Sequence, residues 1–399
     1  MAYKHGIYTE SVATLGRLQA RSTGTVPVYI GTAFTNTTAN TNVPVLINSY
    51  NEFVTNFGYS DDWDKYTLCE VAYAHFKNNI QTIAPFIVIN MGKQAEAVVA
   101  DDIDKALAAI DLAGIKCGVV PNIIVAPAFS STHAAKLIAK CEAKINDKWG
   151  CVAYIDIPTA SVTTIEGTTG ATTYKKTNAL NSKYARLHFP KAKYNNKVYH
   201  LSVISAVTSQ IVDNETDGVS CRSSSNKRIS CDTPVLSATA DFIYSEKEAN
   251  VLNANGITTI NYVGGAFRLW GGHFANYEFE TLSNIEAKDR SDATIRMQIY
   301  LDNWLQREHI EAIDSPISRR DIDNIISNVN IGLNSLVNSG YLLKGECTFS
   351  ADANTTAELA DGNLVLDILH TEVPNGKSIS FQMQYDVSGL ERLYEVEEV

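Results

Sequence analysis

No run of apolar residues in this sequence is long enough to span a bilayer, and Met1 to Glu10 lacks the apolar core of a secretory signal. Nothing in it is therefore expected to send the chain through or into a membrane. Its seven cysteines form no CxxC pair, so no zinc site follows from their spacing, and their odd number suits reduced thiols inside a cell. Cys221 and Cys231, which flank a Ser-rich stretch, are expected to remain free. Eight scattered histidines give no HExxH or other metal pattern. Basic residues are outnumbered, 33 against 44 acidic, and the formal charge of -11 argues against nonspecific binding to nucleic acid or an anionic membrane. No repeat of solenoid period occurs.

The catalytic vocabulary is thin as well. Ser131-Thr132-His133-Ala134 puts a histidine at a helix start, and Asp156 ends a strand, so an α/β hydrolase built on His133 and Asp156 is one reading. The chain lacks a Gly-x-Ser-x-Gly elbow to expose a nucleophile. Gly264-Gly265 and Gly271-Gly272 match neither GxGxxG nor GxxxxGK[ST], and beside Trp270 they suit a tight turn and close backbone packing. The pairs Asp61-Asp62 and Asp101-Asp102 suit helix starts, where carboxylates favour the dipole. No catalytic, cofactor or metal site emerges, and no cofactor is expected.

What is present is an ordinary globular composition, 45% hydrophobic and 19% charged over 399 residues, enough for two or three domains. Residues 1–22 are polar and read as an arm, with Ile7, Tyr8 and Val12 on one short extended strand. Val26 to Thr32 and Val43 to Ile47 read as strands, followed by a Ser49-capped helix ending at Gly58 and a helix from Tyr66 to Asn79. Ile83 to Asn90 suits an interior strand. A helix over Asp101 to Ala113, a strand over Asn122 to Ala126, a helix over Thr132 to Lys148 and a strand over Cys151 to Ile157 then indicate a mainly parallel, helix-covered sheet. Residues 159–235 turn rich in Ser, Thr, Asn and Gly, and are expected to be loop-rich material over one end of that sheet, with strand-like patches at Tyr184 to Phe189 and Val198 to Val203. A helix over Glu246 to Ala254, a strand over Ile257 to Tyr262 and a long helix from Asp292 to Ile313 follow.

The last eighty residues organise the reading. Ser318 caps a helix whose Ile322, Ile325, Ile326, Val329, Leu333 and Leu336 recur at helical spacing, ended by Gly340. Tyr341 to Phe349 and Asn363 to Leu369 read as strands, carrying Leu342, Phe349, Leu364, Leu366 and Ile368. After the Asn375-Gly376 turn signal, Ser378 to Tyr385 alternates through Ile379, Phe381, Met383 and Tyr385. A small sheet followed by a charged tail leaves open edges, which recruit another chain's strand unless protected. Self-association is the first expectation. A binding protein or adhesin, with a receptor-contacting Ser/Thr-rich middle, is a further alternative.

Several stretches together resemble the tail sheath proteins of contractile phage tails and related particles. They are His5-Gly6-Ile7-Tyr8, Gly31-Thr32-Ala33, Val43 to Ile47 with Phe53 to Gly58, Ala153 to Pro158, and Leu252 to Ile257 running on to Arg268-Leu269-Trp270-Gly271-Gly272. Asn334 to Leu342 with Leu359-Ala360-Asp361-Gly362 completes the set. The chain departs from the family at Gly272-His273-Phe274, where Ala-Arg-Thr is common, and matches only loosely over 159–235.

The resemblance implies an α/β fold, α+β overall: a subtilisin-like three-layer core without catalytic residues, and an inward C-terminal α+β domain with a small sheet. It implies a segment at 23–95, a core at 96–275, an inner domain at 276–375 and strand-donating arms at 1–22 and 376–399. On this reading Ile7, Tyr8, Val12, Ile379, Phe381, Met383 and Tyr385 sit on the arms, and Leu342, Phe349, Leu364, Leu366 and Ile368 on the receiving sheet. Arg319 and Arg320 are candidates to face the tube. The implied partners are further copies in hexameric rings, a tail tube protein, and baseplate and terminator proteins, without direct nucleic-acid contact or membrane insertion. The implied location is a virion tail or phage-tail-like particle assembled in the host cytoplasm.

Overall fold

A computed structural model describes residues 24–78, 81–314 and 318–393. The first part of the chain alternates strands and helices: β1 (Pro27–Gly31), β2 (Pro44–Ile47), α1 (Tyr50–Phe57), α2 (Thr67–Phe76), β3 (Phe86–Asn90), α3 (Ala100–Ala109), α4 (Ala113–Cys117), β4 (Ile123–Val125), α5 (Ala134–Ala143) and β5 (Val152–Asp156). The middle holds α6 (Ala171–Thr177), β6 (Ala185–His188), β7 (Lys191–Tyr194), β8 (Lys197–Tyr199), α7 (Leu201–Asn214), β9 (Thr233–Ser237) and β10 (Ala240–Asp241). Then come α8 (Glu246–Ala254), β11 (Ile257–Val263), β12 (Ala266–Trp270), α9 (Asp292–Glu308), α10 (Arg319–Asn338), β13 (Leu342–Phe349), α11 (Thr356–Ala360) and β14 (Leu366–Glu372).

Eight strands form one sheet in the order β12-β11-β6-β5-β4-β1-β3-β2. It is parallel from β11 to β3, with an antiparallel strand at each edge. The strands are apolar on both faces because both are covered. Val28 and Ile30 of β1, Ile87 and Ile89 of β3, and Ala153 and Ile155 of β5 pack with Ile103, Leu107 and Leu137 of α3 and α5. The alternate residues Tyr29, Val88 and Tyr154 pack with Phe53, Leu68 and Ile204 of α1, α2 and α7. The result is the expected three-layer α/β core. The division expected at 95/96 falls between β3 and β4, two strands of this one sheet.

Residues 159–235 are not the loop cover that their composition predicted. They supply β6, which lies between β5 and β11 in the sheet, and α7, whose residues from Leu201 to Gln210 are all buried. Val198 to Val203 is not a strand either: β8 ends at Tyr199 and α7 begins at Leu201. Burial on every side removes the one-sided apolar stripe that marks a helix in sequence. Its small polar residues are bonded inside: Thr208 to the carbonyl of Ile204 (2.7 Å), and Ser209 with the hydroxyl of Tyr154 (2.9 Å). A second sheet, β10-β9-β7-β8, completes this region. Helix α5 stops at Ala143 rather than Lys148, and Asp61-Asp62 precede α2 by a turn instead of opening it. Gly264 and Gly265, at φ +62° and +76°, form the two-residue turn between β11 and β12, a backbone that glycine adopts freely.

Helix α9 faces two cores. Ile295 and Ile299 close the α2/α7 layer, whereas Met297 and Leu301 pack with Val329 and Leu333 of α10 and with Leu342 and Cys347 of β13.

Candidate assembly interface

The C-terminal module is α10 packed across a two-stranded antiparallel sheet, β13 and β14. Ser318 and Asp321 start the helix as a reciprocal cap: Ser318 Oγ accepts from the Asp321 amide (3.3 Å), and Asp321 Oδ2 accepts from the Ser318 amide (3.0 Å). Donation from the Ser318 hydroxyl to Asp321 Oδ2, and then from the Ser318 amide, holds the Asp321 carboxyl below its usual range. The helix ends in a Schellman turn, with Gly340 at φ +74°, its amide on Val337 O (2.9 Å) and the Tyr341 amide on Leu336 O (2.9 Å). Asn354 ties the ends of the β13–β14 connection, its Nδ2 donating to Ser350 O and Val365 O (2.7 and 2.6 Å).

The two strands expected from sequence are present: β13 begins one residue later than expected, and β14 is displaced three residues toward the C-terminus. Leu342 is buried, Leu366 and Ile368 are half-buried against α10, and Phe349 ends β13 with 40% of its surface exposed. Leu364 lies two residues ahead of β14 rather than in it, because the connection tied by Asn354 runs to Val365. Among the described residues no third strand pairs with either edge.

On the α10 side, the Asn330 side chain meets the backbone of Cys347 twice. Its Nδ2 donates to Cys347 O (2.9 Å) and its Oδ1 accepts from Cys347 N (2.8 Å).

The segment after β14 leaves the module and is pinned at its root. Asn375 Nδ2 donates to Ser291 Oγ (2.7 Å) and Asp292 Oδ1 (3.4 Å) at the start of α9. Lys377 Nζ donates to the Tyr277 hydroxyl (2.8 Å) and lies over the rings of Tyr277 and Phe279. Beyond this root the expected strand over Ser378 to Tyr385 is not formed within the chain. Ile379, Phe381, Met383 and Tyr385 are 78%, 87%, 93% and 78% exposed. A strand has to pair, and this segment has no partner in its own chain among the described residues.

Ile7, Tyr8 and Val12 lie outside the described residues. The described chain begins at Gly24, and Thr25 is buried at once: its hydroxyl meets Asp213, Arg296 and Asn122. Arg319 and Arg320 stand exposed at the head of α10.

The residues of the hydrolase reading are not assembled. Asp156 is buried, and its carboxylate caps the start of α7, accepting from Ser202 N (2.9 Å) and Ser202 Oγ (2.5 Å). Burial pushes that carboxyl up, against the opposing pull of His200. His133 heads α5, where burial and the charge of Lys136 hold its imidazole below the usual range, and it makes no bond to Asp156. The histidine that sequence reasoning passed over, His200, pairs through Nδ1 with Glu70 (2.8 Å) instead.

Comparison with known proteins bears on this arrangement. No family model matches the chain. The tail sheath protein of Escherichia phage P2 is 28% identical over 144 residues, 36% of this chain but only 34% of that protein, so the likeness spans about a third of that relative's length. A putative prophage major tail sheath protein of Pseudomonas aeruginosa (strain UCBPP-PA14) is 23% identical over 96% of this chain and 97% of its own length. Among solved structures, the sheath complex of an extracellular contractile injection system, PVC, in its contracted state superposes with a TM-score of 0.68. It is 16% identical, with 98% of this chain and 99% of that one covered. The fold is that of a contractile sheath protein. Sequence and fold thus resemble the same family.

Proposed function

We propose that this chain is the structural subunit of a contractile tail sheath. It polymerises as stacked hexameric rings around a tail tube and shortens to drive the tube through a target envelope, without catalysing a reaction. Its partners are further copies of itself, a tube protein, and baseplate and terminator proteins. Its place is a virion tail or a phage-tail-like particle assembled in the host cytoplasm. Residues 1–22 and 376–399 act as arms that add strands to neighbouring copies.

The observation that carries this reading is the segment from Ile379 to Tyr385, alternately apolar, almost fully exposed, and pinned at Asn375 and Lys377 just after a sheet that has only two strands among the described residues. Main-chain hydrogen bonds from an added strand survive rigid-body rotation of the bodies they link, so such arms hold a lattice together while other interfaces change. The test is negative-stain electron microscopy of the purified full chain beside a version lacking residues 376–399. Hollow cylinders from the first and compact monomers from the second are expected. Monomers from both, or identical cylinders from both, would remove the reading.

A further inference from the structure

The sequence holds two Asn-Gly pairs, Asn255-Gly256 and Asn375-Gly376, and the fold treats them oppositely. In an Asn-Gly pair the side-chain amide is open to attack by the next backbone nitrogen, because glycine has no Cβ to hinder the approach. At Asn255 this reaction is locked out. Asn255 caps the end of α8, and its Nδ2 donates to Val251 O (2.9 Å). The Gly256 N–H donates to Asn253 O (3.0 Å), and Gly256 sits at φ +68°, packed against the carbonyls of Phe274 and Tyr277. At Asn375 only the amide side is held. Its Nδ2 donates to Ser291 Oγ (2.7 Å) and Asp292 Oδ1 (3.4 Å). Gly376 is exposed with open space around it, and its N–H meets no acceptor among the described residues.

We propose that Asn375 is a self-modifying site, which deamidates in water and thereby unseats the root of the C-terminal segment. The Gly376 nitrogen attacks Cγ of Asn375. The new N–Cγ bond forms, the Cγ–Nδ2 bond breaks, and ammonia leaves with the Gly376 proton. Water then opens the cyclic imide at either of its carbonyls, giving aspartate or isoaspartate. Water enters and ammonia leaves, with no change of oxidation state and no further reactant.

The surroundings give the change its consequence. Nδ2 is the donor in both root bonds, whereas a carboxylate only accepts. Asp292 is buried and tied to Arg186 (3.4 Å) and to the Ser223 hydroxyl (2.7 Å), so it is not free to turn away. A charge created at position 375 therefore faces a fixed like charge. Isoaspartate also lengthens the backbone by a methylene at the same point. Lys377, donating to the Tyr277 hydroxyl (2.8 Å), then holds the root alone. Because ammonia is lost, the seated and released roots are successive states that do not interconvert.

Ageing the unassembled full chain in mildly alkaline buffer, followed by peptide mapping with mass spectrometry, tests the reaction. Asn375 should convert faster than Asn255 by about tenfold or more, since Asn255 reacts only when the end of α8 opens. Gly376→Ala should slow conversion at Asn375, its added methyl hindering the attack. Equal rates at the two asparagines, or no conversion at Asn375, overturn the site. Release is read separately in fresh protein, as the rate of tryptic cleavage after Lys377. Asn375→Asp should be cut several-fold faster than the parent. It should also be cut faster than Asn375→Ala, which loses the same bonds without gaining a charge. Equal cleavage of Asn375→Asp and the parent overturns the release. Equal cleavage of Asn375→Asp and Asn375→Ala overturns the part assigned to the Asp292 charge.

Discussion

Asp292 and Arg296 lie one turn apart on α9, and each joins one end of the described chain to the core. Asp292 forms a fully buried ion pair with Arg186 of β6 (3.4 Å) and accepts from Asn375 at the root of the C-terminal segment. Arg296 pairs with Asp213 of α7 and donates to Thr25 (3.1 Å), the second described residue. Arg186 is otherwise satisfied by Thr258, Ser224 and the carbonyl of Gly271 (3.0, 2.6 and 2.7 Å). A pull on either chain end is therefore delivered to the same turns of one helix, which itself faces both cores.

Asp292→Ala leaves the Arg186 charge buried and uncompensated. The expected loss is about 3–5 kcal/mol, read as a lower urea midpoint. Replacing Arg186 and Asp292 together by apolar residues of similar size should cost much less than the single change. Equal losses would show that the pair does not act as a unit.

Asn330→Ala strips Cys347 of both its side-chain partners on the β13 edge. A loss of about 1–2 kcal/mol in unfolding free energy is expected, since water reaches the vacated edge. A change near zero would mean that the two bonds contribute nothing to the module.

Stability should respond to acid through His75. It is buried, donates from Nδ1 to Ile83 O (2.9 Å) and accepts at Nε2 from the Tyr29 hydroxyl (2.8 Å), an arrangement that requires the neutral ring. Burial holds it down to about 3. Unfolded histidine protonates below about 6.5, so the unfolded state gains protons the folded state refuses between that pH and about 3. Stability from this group is thus intact above pH about 6.5 and falls, by up to about 1.4 kcal/mol per pH unit, as pH drops through that window. Unfolding free energies from pH 6.5 to 5 should decline less steeply in His75→Gln than in the parent; parallel slopes would contradict this.

Changing Arg319 and Arg320 to alanine touches only exposed side chains at the head of α10, so folding and self-assembly should persist. Loading onto tube protein should weaken, with a reduced salt dependence, if these cations face the tube. Unchanged loading would leave them as a solvated helix end.

The sequence made the strand–helix alternation from β1 to β5 legible because interior strands and amphipathic helices carry distinct periods, and α10 because its cap, stripe and glycine stop agree. It hid α7, where Ser202, Ser205, Thr208 and Ser209 are buried and no face is left polar in the usual sense. The strand patch at Tyr184 to Phe189 was legible and is β6, but its place inside the sheet was not: Arg186 and His188 face the interior, and Arg186 is tolerated there through Asp292, more than a hundred residues away. The alternation of Ile379 to Tyr385 was visible, but whether it becomes a strand depends on an edge its own chain does not offer. Asn330 was unreadable for another reason, since its role depends on where β13 crosses α10.

The most direct measurement is the mass of particles formed by the full chain carrying Phe381→Asp and Met383→Asp, beside the parent, by light scattering. Both positions are about nine-tenths exposed, so the fold and melting temperature should be unchanged. The account predicts polymers from the parent and monomers from the variant. Polymers of equal mass from both, with equal melting, would contradict it.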